Sequence, residues 1–248
     1  MKYSFICCWN DPKQLQELLL DSYAKVYGQI EEKPTILLID NSARKYKSAA
    51  EAFNSEYEAH KQKLDDILIF LHQDIAFDNS SFFDRIAQEL LDDQQQIIGA
   101  AGINKNGSVF SNLKYKDNEK YIVKQQINAK QSVESIDECC FAMHKELFER
   151  VRFDASTCNH WHLYGVDFCY SAKKYGIPSY VIPEPLYHKH NDTGGLITDK
   201  HFLRTMWNLV RKHSKQHNRI FAPCYIIDTR IDKAIAKLAK TAIKNLVK

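Results

Sequence analysis

Short apolar blocks separated by stretches of helical spacing set the rhythm of the first hundred residues. Residues 3–8 (YSFICC) form an apolar opening strand, and Asn10, Asp11 and Pro12 make a helix entry for Leu15, Leu18, Leu19 and Tyr23. Residues 35–40 (TILLID) read as a second buried strand. Residues 48–63 then place Ala49, Ala52, Phe53 and Tyr57 at helical spacing, with polar positions suited to a solvated face. Residues 67–74 (ILIFLHQD) form a third strand, an apolar run that stops abruptly at His72, Gln73 and Asp74. Strand, helix, strand, helix, strand at these intervals predicts an α/β fold: a mostly parallel, Rossmann-like central sheet flanked by helices, of a nucleotide-binding type.

Further along, residues 80–91 predict a helix with Phe83, Ile86, Ala87 and Leu90 inward, and residues 96–101 (QIIGAA) another strand. Residues 104–131 are rich in Asn, Lys, Gln and Tyr and carry hairpin-like turns, as expected of a surface insertion or an irregular sheet flank. Residues 132–144 resume an apolar strand, followed by a short helix over 145–151. No internal repeat or low-complexity linker interrupts the chain, which predicts one large domain over residues 1–225.

In an open α/β sheet the ligand crevice lies just beyond the carboxyl ends of the strands, where Asp40 and Asp74 stand. Two carboxylates aimed into one crevice is one reading; caps of the following helices is the other. A second cluster spans residues 159–170 (NHWHLYGVDFCY), with Asp167 at what reads as a helix start. Backbone N–H groups there favour an ionised carboxylate, which suits either a general base beside aromatic walls or a helix cap. A third spans residues 183–195 (PEPLYHKHNDTGG), where His188 and His190, two apart, point the same way on an extended segment. With Asp74, such a histidine completes a mixed oxygen and nitrogen set for a divalent ion bridging phosphates.

Composition narrows the class. The 248 residues are 44% hydrophobic, enough for a real core, and no apolar run reaches the ~20 residues needed to span a bilayer. The seven cysteines lack the spacing of a zinc site or a secreted disulfide framework, which predicts buried thiols in a reducing cytoplasm. The net charge of +3 conceals an asymmetry: residues 201–248 carry +9 and the preceding two hundred carry −6. The basic surface is local, and no nucleic-acid partner is expected.

The order of motifs FLHQDI, SIDECCFAMHKELF, FD, WHLYGVDFCYSAKKYG and VIPEPLYHKH resembles the family 2-like bacterial glycosyltransferases of GT-A fold, over roughly residues 1 to 195. More narrowly it resembles the subgroup in which His-Gln-Asp replaces the usual Asp-x-Asp, with His72 where the first aspartate commonly sits. The resemblance implies that Asp40 sits near the base or ribose of a nucleotide diphosphate sugar, with His72 and Asp74 at the donor and Asp74 as the metal-binding carboxylate. It implies that Asp137 and Glu138 lie near the donor sugar and acceptor, that Asp167 is the catalytic base, and that His188 touches the metal or diphosphate; His190 is a second candidate. Trp161, His162 and Tyr164 would line the saccharide site. The implied cofactor is Mn2+ or Mg2+. The implied activity is inverting hexosyl transfer to a saccharide or lipid-linked acceptor in bacterial surface polysaccharide or glycoconjugate synthesis. A metal-dependent nucleotide-sugar hydrolase or nucleotidyltransferase would use the same carboxylates and histidines.

The resemblance does not reach the tail. Over residues 226–248 a basic amphipathic helix is expected, with Ile231, Ile235, Leu238, Ala239, Ala242, Ile243 and Leu246 at helical spacing and Lys233, Lys237, Lys240, Lys244 and Lys248 on the remainder. Each basic residue near an anionic leaflet contributes about 1 kcal/mol, so this tail would hold the protein on the inner face of the plasma membrane; a helix packed on the domain is the alternative. Deleting residues 231–248 should sharply reduce co-sedimentation with anionic vesicles at low salt, and unchanged binding would remove the membrane role.

Overall fold

The computed structural model describes residues 2–123, 125–189 and 199–230. Strand β1 (Tyr3–Trp9) leads through α1 (Pro12–Gln14), a π-helical stretch (Leu15–Leu20) and α2 (Asp21–Tyr27) to β2 (Thr35–Asp40). Asp11 starts the first helix, its carboxylate accepting the N–H groups of Lys13 and Gln14 ahead of a first-turn proline. Helix α3 (Ala49–His60) is capped by Ser48 and leads, through a short 3-10 turn, to β3 (Ile67–Leu71). After these come β4 (Ile75–Ala76), α4 (Ser81–Asp92), β5 (Ile97–Gly99), β6 (Ala101–Ile103), β7 (Val109–Ser111), β8 (Lys114–Tyr115), β9 (Gln131–Val133), β10 (Ser135–Ile136) and β11 (Cys140–His144). The chain continues through α5 (Lys145–Val151), α6 (Tyr164–Lys173), β12 (Ser179–Val181), β13 (Tyr187–His188), α7 (Lys200–His213) and the hairpin of β14 (Arg219–Ala222) and β15 (Tyr225–Asp228).

The main sheet has the order β2-β1-β3-β11-β5-β12-β9. Strands β1, β2 and β3 are parallel, and β5 and β12 are parallel to each other, while β11 and β9 run against their neighbours. The α/β expectation holds. The apolar run over 132–144, expected as one strand, is divided into β9, β10 and β11, because residues 137–139 cross from a small sheet with β6 to the main one. Side chains alternate across the sheet: Phe5, Cys7, Ile69 and Leu71 meet α4 on one face, and Ile6, Leu68 and Phe70 meet α3, α5 and α6 on the other. The crossover from β1 to β2 lies on the first face and that from β2 to β3 on the second, so β1 is the point where the winding reverses and a crevice opens.

A third core joins α6, α7 and the β14–β15 hairpin through Val166, Tyr170, Phe202, Leu209 and Ile227. The hairpin crosses the expected domain boundary at residue 225: residues 225–228 are strand, paired to β14, and belong to the domain rather than to a helical tail. Residues 231–248, where the amphipathic helix is expected, lie outside the described residues. Among the described residues, no helix is long and apolar enough to cross a membrane.

Candidate functional site

The polar end of β3 is held from both sides. The His72 N–H donates to the Cys139 carbonyl at 2.9 Å, and the Gln73 side-chain oxygen accepts the N–H groups of Asn10 and Asp11 at 2.9 and 3.1 Å. Gln73 thereby ties the end of β3 to the end of β1. Strand β13 pairs with β4 so that His188 stands opposite Ile75, and the Lys189 N–H donates to the Asp74 carbonyl. This register brings His188 Nε2 to 3.4 Å from Asp74 Oδ1, with His72 Nδ1 3.9 Å from the same oxygen. One ligand atom from each of the three residues lies within 4.8 Å of the others.

A buried carboxylate with two imidazoles suits a borderline divalent ion, and Mn2+ accepts such nitrogen ligands more readily than Mg2+. Burial lowers the pKa of His72 despite the opposing charge of Asp74, which favours the neutral, ligating form. His190 lies outside the described residues.

Beside this trio opens a cleft of about 1150 Å³, lined at the strand ends by Trp9, Asn10, Asn41 and Ser42. Asn41 shapes its wall by accepting the Tyr46 N–H at 2.7 Å and donating to the Tyr46 carbonyl at 3.3 Å, which folds residues 42–45 into a loop. Asp40 is exposed, and hydrogen bonds from Ser42 hold its carboxyl below the usual range; it does not line the cleft, where Asn41 and Ser42 stand instead. Trp161 and Tyr164 line the cleft. His162 sits 3.4 Å from Asp199, the residue capping α7.

The sequence pattern did not single out Arg44, Lys47, His160, His201 and Arg204 on the cleft wall, where Arg44, Lys47 and Arg204 supply positive charge. For all but His160 the clue was a cluster of cationic positions in two segments, residues 44–47 and 201–204, that only the fold brings to one cleft. His160 Nε2 and His201 Nδ1 are 2.9 Å apart across it.

The Tyr164 hydroxyl bridges toward the trio, 3.4 Å from His72 Nε2 and 3.5 Å from the Glu138 carbonyl oxygen. Asp137 and Glu138 lie in the link between β10 and β11. Asp137 accepts the Cys139 N–H at 3.0 Å, and Glu138 Oε1 accepts the Gly165 N–H at 3.2 Å. Burial, then the Asp137 charge, pushes the Glu138 carboxyl up to about 8, against the N–H groups of Val166 and Gly165.

Asp167 is not placed as expected. Helix α6 begins at Tyr164, so Asp167 lies within its first turn, and its own N–H already donates to the Leu163 carbonyl. The side chain is 1% exposed, with one oxygen 2.7 Å from Lys212 Nζ and the other 2.8 Å from His213 Nε2. Both partners come from α7. Asp167 does not line the cleft; rather than capping α6, it anchors α7 to α6 through a buried ion pair. Burial disfavours the Lys212 ammonium, but Asp167 and Asp154 outweigh it and hold its pKa above the ordinary range.

A family model described as "Glycosyltransferase like family" matches residues 4–191. No curated protein matches the chain. Among solved structures, GalNAc-T7 with UDP, GalNAc and Mn2+ superposes with a TM-score of 0.56 at 13% identity, covering 86% of this chain and 47% of that one. The chain thus spans about half the length of that relative. A197 from STIV superposes at 0.49 with 15% identity, covering 77% of this chain and 87% of that one. S. aureus TarS residues 1–349 superpose at 0.47 with 12% identity, covering 86% and 65%. The fold is that of the GT-A glycosyltransferases.

Two outcomes follow from the buried charges. Replacing Asp167 by Asn leaves Lys212 and His213 without their carboxylate, and urea unfolding should register a loss of about 3 kcal/mol; a loss below ~1 kcal/mol would contradict the anchoring role. Glu138 keeps its proton up to about pH 8 in the folded chain but only through the ordinary carboxyl range, near ~4.3, when unfolded. The stability contributed by its protonated form is full in acid and is lost as pH rises toward 8. Glu138→Gln cannot ionise, so its melting temperature relative to wild type should climb between those pH values and level off above; a constant difference would contradict the shift.

Proposed function

The chain belongs to the glycosyltransferase-like family, and from that premise we propose that it moves a sugar from a nucleotide diphosphate donor to an acceptor hydroxyl, with inversion and with divalent-metal assistance. The observation that carries this reading is the convergence of His72, Asp74 and His188 at the carboxyl end of β3, beside a cleft with a basic wall. Asn41, Ser42 and the loop over residues 42–47 receive the nucleotide, and Arg44 and Lys47 add positive charge for a phosphorylated ligand. Trp161 and Tyr164 offer aromatic faces to sugar rings.

A divalent ion held by the trio supplies Lewis-acid neutralisation of the leaving diphosphate. His72, Asp74 and His188 would hold such an ion, with Asp74 supplying the negative charge. The solved relative bound to UDP, GalNAc and Mn2+ shares the fold, which supports Mn2+ as the ion and a nucleotide sugar as the donor. Gln73, locked between the ends of β1 and β3, supports membership of the His-Gln-Asp subgroup, since it fixes the angle at which His72 and Asp74 leave the strand. A saccharide or lipid-linked acceptor, and a place in surface polysaccharide or glycoconjugate synthesis on the inner membrane face, complete the reading; the basic tail supports it.

Asp74→Asn keeps shape and removes the ligating charge. Affinity for UDP or GDP, measured by calorimetry, should then lose most of its dependence on manganese. Equal affinity of wild type and mutant, with metal and with chelator, would show that the trio is not the metal site.

A further inference from the structure

With Asp167 committed to Lys212 and His213, another group must take the proton of the attacking hydroxyl. The β10–β11 link carries two carboxylates close to the trio. Asp137 turns back onto its own chain at the Cys139 N–H. Glu138 reaches instead to the first turn of α6, where the Gly165 N–H holds its Oε1 at 3.2 Å. One side chain, Tyr164, joins the backbone of this link to the trio, since its hydroxyl lies near both the Glu138 backbone carbonyl and His72 Nε2.

The room for this carboxylate comes from a glycine. A Cβ at Gly165 would stand 2.7 Å from Ile136 Cδ1 and 3.2 Å from Glu138 Cγ, so a side chain there would push the Ile136 methyl away and press on the Glu138 side chain. From this juxtaposition we propose that Glu138 is the general base of transfer and Gly165 the residue that positions it, an inference that rests on the glycosyltransferase reading above.

In the step, the acceptor oxygen forms a bond to the anomeric carbon. The bond from that carbon to the diphosphate oxygen breaks, and its electron pair leaves with the nucleoside diphosphate. The hydroxyl proton passes to a Glu138 carboxylate oxygen and then to solvent. Asp137 on the same link, Tyr164 and Cys169 on α6, Cys158 before it and Cys224 in the β14–β15 turn act electrostatically with Glu138. With no cation among these groups the Glu138 carboxyl ionises only toward pH 8, so proton removal by it, and with it kcat, should rise with pH through that range.

The test compares full-length wild type, Glu138→Gln and Gly165→Ala. Calorimetry with UDP and GDP, with and without Mn2+, measures nucleotide binding; release of nucleoside diphosphate from UDP- and GDP-sugars, with water as acceptor, measures turnover. Both variants should bind nucleotide as wild type does while kcat falls ~10²-fold or more, the usual contribution of a positioned base. Wild-type kcat in folded Glu138→Gln would overturn the assignment, and the isosteric change keeps that variant informative if Gly165→Ala does not fold. Absence of UDP and GDP binding in the wild type would instead overturn the glycosyltransferase reading and this inference with it.

Discussion

Strand β3 is enclosed on both faces and both edges, and the position of every proposed ligand depends on that enclosure. Its five residues are at most 2% exposed and pair with β1 on one side and β11 on the other. A strand so held has no alternative register, because a slip of one residue would exchange Phe70 with Ile69 across two differently shaped cores. The first polar side chains after Leu71 consequently emerge at a fixed height above the sheet. There β13 can reach them with only two residues of pairing, since the larger sheet has already settled where its partner lies.

Two carboxylates close to α6 show how partners, more than burial, decide what a charge becomes. Asp167 is sealed from solvent yet meets an ammonium and an imidazole, so it serves as a fixed counter-charge between helices. Glu138 has another carboxylate as its sequence neighbour and only helix N–H groups to welcome its ionised form, so its proton is held far more tightly than usual. The first arrangement stabilises geometry and the second preserves reactivity.

The first three strands and the helix α3 were legible because each is a local pattern of apolar positions, complete within five to a dozen residues. His72 and Asp74 were legible for a related reason, since polar residues at the end of an apolar run have few places to go, whereas His188 was read from its spacing to His190 on an extended segment and from the order of motifs. The direction of β11 was not legible, since the sequence Cys140–His144 reads equally well parallel or antiparallel and its neighbours are set by crossings elsewhere. Asp167 was misread because its partners lie 45 and 46 residues away, on a helix whose apolar spacing gives no hint that Lys212 and His213 turn inward. The basic wall of the cleft escaped for the same reason, being assembled from the loop over residues 42–47 and the start of α7, which share no local pattern.

The anchoring of α7 also bears on the order in which the chain can fold during synthesis. The family match ends at residue 191, yet the counter-charges of Asp167 are carried by residues 212 and 213. A nascent chain that has just delivered α6 holds a carboxylate that water must still solvate, so this helix cannot sink into its final environment. The main sheet, whose last strand ends at residue 181, can condense first, and the wall bearing His201 and Arg204 closes only when α7 emerges. The cleft is thus finished last, and a fragment cut to the family boundary would present its sheet without that wall.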